Sequence, residues 1–125
     1  MIASPRPKFL DLTKIRLPVP GFVSILHRIS GAALFLFAGV LLYLFQESLA
    51  SPESYVRLRA VADHWLAKLF LTGTLWAFLH HFFAGLRFLL LDVDIGSELR
   101  TTRAMSWGVL AASLVLTVVL GACLW

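Results

Sequence analysis

Hydrophobic positions along this chain gather into three long runs, and its charges gather in an N-terminal stretch and two short connections. Residues 22–46 carry a single formal charge, Arg28. Crossing about 30 Å of hydrocarbon at about 1.5 Å per residue takes about 20 residues, so this run predicts a first transmembrane helix. Glu47, the Ser51-Pro52-Glu53-Ser54 segment, Arg57 and Arg59 then predict a polar connection. Residues 65–91 are apolar apart from Lys68, His80, His81 and Arg87. They predict a second helix that tilts or outruns the membrane, with Lys68 close enough to its end to reach the headgroups. Residues 92–103 concentrate acids and bases around Gly96, and 104–125 carry no charge, which predicts a third helix. Within it Ser113, Thr117 and Gly121 recur every four residues, as do Gly108 and Ala112, a pattern that lets helix backbones approach closely in lipid.

The first 20 residues are polar and proline-rich, with Pro5, Pro7, Pro18 and Pro20 among Arg6, Lys8, Lys14 and Arg16. They hold no apolar region followed by a small-residue cleavage site, and so read as a retained tail rather than a signal peptide. Residues preceding proline are pushed out of the helical region, which sets the expected start of the first helix near Gly21. Basic residues near span ends give the orientation. The tail, Arg87, Arg100 and Arg103 outweigh Arg57, Arg59 and Lys68, so the N-terminus is expected in the cytoplasm and the C-terminus outside. A short tail containing Asp11 points to a bacterial inner membrane rather than an imported precursor.

Composition agrees with this pattern. The 125 residues are 59% hydrophobic and 14% charged, with a mean hydropathy of +0.84, well outside the soluble range. The expected class is all-α: one integral membrane domain over 1–125, with transmembrane helices at about 22–46, 65–91 and 104–125 and no soluble catalytic module. The lone Cys123 excludes a disulfide framework or a cysteine-ligated cluster built from this chain alone. A net charge of +4 is explained by orientation, since no basic stripe with interleaved aromatics suggests nucleic acid. Trp65, Trp107, Trp125, Tyr43 and His64 fall near predicted span ends, where amphipathic rings favour the interface.

Ionisable groups inside a span usually face a protein interior. Ser24, His27, Arg28 and Gly31 follow i, i+3, i+4, i+7 spacing and align a hydroxyl, an imidazole and a guanidinium along one helical face. Taken alone, Arg28 could instead reach phospholipid headgroups while Ser24 bonds its own backbone. His80 and His81 point about 100° apart. Gly73, Ala77, His81 and Gly85 form a row of small residues around one imidazole, a shallow groove for a flat macrocycle bound through His81. His80 shares its flank with Trp76, Ala84 and Arg87, which suits a hydrogen-bonded or propionate-facing role. The alternative, that both histidines hydrogen-bond across a helix interface, stays open on these residues alone.

The strings RPKFLDLTKIRLPVPGFVSILHRISG and HFFAGLRFLLLD together resemble the cytochrome b membrane-anchor subunits of succinate dehydrogenase, respiratory complex II. The first carries Arg6-Pro7, Ser24, His27-Arg28 and Ser30; the second carries His81, Gly85, Leu86, Arg87, Phe88 and Asp92. Lys8 and Leu91 depart from the family pattern without touching a site position. The resemblance implies half of a haem-binding bundle completed by a small partner anchor subunit. His81 then matches the axial ligand of a shared haem b, Ser24 and Arg28 match positions lining the ubiquinone pocket, and His27 and Arg28 match residues near the haem propionates. Succinate would be oxidised on a flavoprotein subunit, with electrons passing through an iron–sulfur subunit at the cytoplasmic face, so this chain is not an enzyme on its own. A fumarate reductase anchor or another respiratory cytochrome is the alternative that keeps the haem. A non-redox scaffold or small transporter drops it, although nothing in the chain suggests broken helices or an internal repeat.

Overall fold

The computed structural model describes residues 16–125, and the Arg6-Pro7 pair, Lys8 and most of the expected 1–20 tail lie outside the described residues. Four helices follow one another: α1 (Val19–Ala50), α2 (Pro52–Ala62), α3 (Trp65–Asp92) and α4 (Leu99–Leu124). Three of them, α1, α3 and α4, are long and apolar enough to cross a membrane. The chain is therefore an all-helical, multi-pass membrane protein.

Helix α1 starts before Gly21, with Pro18 as its extended N-cap and Pro20 in its first turn. A proline there loses no hydrogen bond, because the first amides of a helix have no internal partner. Over 32 residues α1 runs about 48 Å, more than the hydrocarbon requires. It stops at Ser51, which Pro52 holds in the extended region (φ −162°, ψ 163°).

The expected polar connection contains a helix. The Ser54 amide donates to Ser51 Oγ at 3.1 Å and the Ser51 amide donates to Ser54 Oγ at 3.0 Å, a reciprocal cap that starts α2. Ser54 Oγ also donates to the Glu47 carbonyl at 2.7 Å, tying α2 back to α1. His64, expected at the interface, caps α3: its Nδ1 accepts from the Leu66 amide at 3.3 Å. Lys68 lies 3.6 Å from Asp63 and 4.9 Å from the centre of the Trp125 ring, joining the start of α3 to the end of α4.

Between α3 and α4 the backbone turns through Asp94 (φ 60°) and Gly96 (φ 82°), left-handed conformations in which glycine carries no Cβ penalty. Thr102 Oγ1 donates to the Gly96 carbonyl at 2.6 Å and closes the turn.

Helix α3 is central: a third of its most apolar window is buried, against 6% for α1 and 17% for α4. Val23 of α1, Ala84 of α3 and Val109 of α4 meet in a small core flanked by Val19, Phe83, Phe88 and Leu110. On α4 the side facing the bundle carries Ser106, Ser113 and Thr117. Their hydroxyls donate to the Thr102, Leu110 and Ser113 carbonyls, which satisfies them inside their own helix. Ser113 and Thr117 thus mark the packed side that their spacing predicts, whereas Gly108 and Gly121 of the same pattern face open space.

Candidate functional site

Antiparallel packing of α1 on α3 brings together residues more than fifty positions apart, and the contact centres on His27 and His81. Their rings stack with centroids 4.2 Å apart and planes within 9°. His81 Nδ1 lies 3.1 Å from the His27 carbonyl oxygen. A carbonyl can only accept, so Nδ1 carries the proton and Nε2 of the neutral ring keeps its lone pair. Ser30 Oγ, 3.5 Å from the same Nδ1, donates to that carbonyl at 3.0 Å. The His27 carbonyl is thus the shared acceptor at the crossing.

Gly85 packs beside His27, where an added Cβ would stand 3.6 Å from Nε2, and the Phe88 ring lies 5.2 Å from the His27 ring. The Gly73–Gly85 row is therefore not an open groove around His81. Ala77 is buried, Gly73 faces open space, and the Gly85 end is occupied by His27 of α1. His81 itself remains half-buried, and among the described residues no partner is found for its Nε2.

Ser24 and Arg28 are one helical turn apart on the adjoining flank of α1. Ser24 is half-buried and Arg28 exposed, and neither makes a hydrogen bond to another described residue. Within this chain His27 and Gly31 of the Ser24–Gly31 face meet α3, while Arg28 is exposed. The chain's own helices cover only one side of α1. Ser24 Oγ is likewise not bonded to its own backbone among the described residues.

The row Trp76, His80, Ala84 and Arg87 points away from His81 into the bundle. His80 and Ala84 are fully buried and Arg87 is 4% exposed. The Trp76 and His80 rings lie 5.4 Å apart. Among the described residues neither His80 nitrogen, nor Trp76 Nε1, nor Arg87 Nε and Nη1 has a hydrogen-bond partner. Arg87 is a lining residue of an apolar groove shared with Phe83, Leu90, Met105 and Val109. Among the described residues no three His, Cys, Asp or Glu side chains converge on a common point as a closed metal site.

Ser30 was legible only as part of the Ser-His-Arg motif; its place beside His81 depends on the helix crossing. The signal that marks it is its i+3 spacing from His27, which carries it to the same α1 carbonyl.

Three spans that cross with an imidazole pair at their interface, with a half-buried serine and an exposed arginine beside it, define a multi-pass helical membrane subunit. The chain belongs to the succinate dehydrogenase/fumarate reductase transmembrane subunit family, whose pattern it matches over residues 3–120. It is similar to the succinate dehydrogenase cytochrome b556 subunit of Coxiella burnetii, with 37% identity over 122 residues, covering 96% of this chain and 97% of that protein. The subunit of the same name from Paracoccus denitrificans is 36% identical over 90% of this chain and 87% of its own. That of Rickettsia bellii is 29% identical over 95% and 93% respectively. Such a chain is a non-flavin membrane subunit and not the catalytic flavoprotein of the complex.

Proposed function

We propose that this chain, as one domain over 1–125, anchors a succinate:ubiquinone oxidoreductase in a bacterial inner membrane with its N-terminus cytoplasmic. In this reading it supplies His81 as one axial ligand of a haem b shared with a small anchor subunit. Ser24 and Arg28 help to form the site where ubiquinone is reduced. Electrons arrive from a flavoprotein subunit through an iron–sulfur subunit docked at the cytoplasmic face.

The observation that carries the reading is the state of His81. Its Nδ1–H is committed to a backbone carbonyl, while Nε2 retains a lone pair on a half-buried ring. An iron-ligating histidine requires this division of labour, with one nitrogen oriented by a hydrogen bond and the other free to coordinate. One such nitrogen suits a haem completed by a second histidine from a partner, so the residues present fit the group. Haem b, when bound, supplies one-electron redox capacity.

The chain's own residues then have separate tasks. Ser24 Oγ–H donates to a quinone carbonyl and orients the ring. The exposed Arg28 guanidinium stabilises negative charge as it develops on that oxygen, an effect enlarged where water is scarce. His27 and Arg28, adjacent in sequence, face the propionate side. The cytochrome b556 names of the relatives support the haem, and their succinate dehydrogenase names favour succinate oxidation over fumarate reduction.

The test is a reduced-minus-oxidised visible spectrum of the intact complex, comparing wild type with His81→Ala. A b-type band lost or shifted in the variant is expected. No band in the assembled wild-type complex would overturn the haem assignment and leave an anchor without a redox centre.

A further inference from the structure

We infer that Gly31 is a positioning residue for His81. Its missing side chain opens the approach by which the His81 Nδ1–H reaches the His27 carbonyl, and so fixes which nitrogen faces the iron. The inference rests on the reading that His81 ligates haem.

In an α-helix the carbonyl of residue i lies beside the side chain of residue i+4, so a donor from another helix that reaches the His27 carbonyl must pass the Cβ position of Gly31. A Cβ built on Gly31 would stand 2.8 Å from His81 Cε1 and 3.2 Å from Nδ1. Those atoms belong to a rigid ring, held on its face by the His27 stack at 4.2 Å and at its edge by the bond to the carbonyl. The ring cannot yield as a flexible chain end would, and it must leave the carbonyl if Gly31 acquires a methyl group.

The other helical glycines set Gly31 apart. Gly39, Gly73, Gly108 and Gly121 face open space, and Gly21 and Gly85 would make ordinary contacts. Glycine weakens a helix interior relative to alanine, so its presence in the middle of the crossing calls for a reason. Access to a backbone acceptor is that reason.

A hydrogen bond donated by the ligand's outer nitrogen raises its basicity and favours the oxidised iron. Gly31→Ala, made in the intact complex, is therefore expected to retain haem and to raise its midpoint potential. At the wild-type midpoint the oxidised-to-reduced ratio should fall about tenfold, which is about 59 mV for one electron. Gly39→Ala, on the same helix in open space, should match wild type. An unchanged midpoint and band in Gly31→Ala would overturn the inference.

A second measurement does not depend on how Gly31→Ala assembles. In His81→Gly complexes, added imidazole should restore a band at the wild-type potential, whereas 1-methylimidazole, which lacks the N–H, should restore one only at higher potential. Equal potentials with the two ligands would also overturn the inference. If His81→Ala keeps the wild-type band, it is the ligand assignment that fails, an outcome distinct from either result on Gly31.

Discussion

Replacing His80 with leucine should strengthen the complex and leave its haem spectrum intact, whereas the adjacent His81→Ala is expected to remove the band. The His80 ring is fully buried, and neither nitrogen has a hydrogen-bond partner among the described residues. The Val23 carbonyl makes only a weak, poorly aligned contact with the ring, short of hydrogen-bond geometry. A buried polar group left unpaired costs about 1–3 kcal/mol, while exchanging it for an apolar side chain of similar size costs under about 1.5 kcal/mol in repacking. The balance favours leucine by about 1 kcal/mol. Thermal unfolding of the detergent-solubilised complex, followed at one scan rate with the visible spectrum recorded beside it, reads both quantities. The midpoint should rise by about 4 °C for each kcal/mol in a chain of 125 residues. A lower midpoint would mean that the ring has a partner in the assembled complex. Loss of the band would mean that His80 and not His81 holds the iron.

Other outcomes follow from the same geometry. Ser24→Ala should slow ubiquinone reduction while the haem band stays, and unchanged quinone kinetics in the steady-state assay would remove Ser24 from the pocket. Arg28→Leu should disturb both the quinone kinetics and the haem potential without lowering the thermal midpoint, because the side chain is exposed and makes no hydrogen bond or ion pair with another described residue. A normal result in both functional assays would refute the shared role. Gly96→Ala should destabilise the α3–α4 turn by about 1–2 kcal/mol, since φ is 82° there; the Met105 sulfur, 2.5 Å from the added Cβ, can move aside. Faster amide exchange at Thr102 in the variant is the check. Hydrogen bonds from its own backbone amide and then from Ser51 hold the Glu53 carboxyl below its usual pKa. The cap of α2 therefore has its full stability above the ordinary carboxylate range and loses it as pH falls through the lowered value, which exchange at Ser54 and Tyr55 should show.

The three spans were legible because membrane crossing is written in composition over some twenty residues, and one arginine or a histidine pair does not erase that signal. The beginning of α1 was misplaced by two residues for a local reason. Proline before a helix reads as a breaker, yet in the first turn it is tolerated. Helix α2 escaped notice because its reciprocal cap uses Ser54 where Glu or Gln is the usual third residue, and because its polar sequence has no long apolar run. For the site, one-helix periodicity correctly put His80 and His81 on different flanks. It could not show which helix opposes each flank. The small residues near His81 in sequence suggested an open groove along α3, but the glycine that receives the ring is Gly31, on α1. A pairing between positions fifty residues apart leaves no trace in either local pattern.

The packing explains why the site faces outward. The described core has few buried apolar side chains, among them Val23, Ala84 and Val109, while Phe35, Leu36, Leu42 and Val118 are among many left exposed. In water such a chain would not hold together. In a bilayer the acyl chains cover those side chains, each helix satisfies its own backbone, and close packing with a few interhelical hydrogen bonds joins the spans. Lipid tails cannot satisfy Arg28. It is the tenth residue of α1, about 14 Å along the helix from Val19, and its guanidinium is not covered by α3 or α4. Ser24, one turn nearer the helix start, places its half-buried hydroxyl on the same flank. A cation and a hydroxyl without a partner among the described residues at that depth call for a polar neighbour, and under the proposed function a quinone carbonyl would meet the need of both.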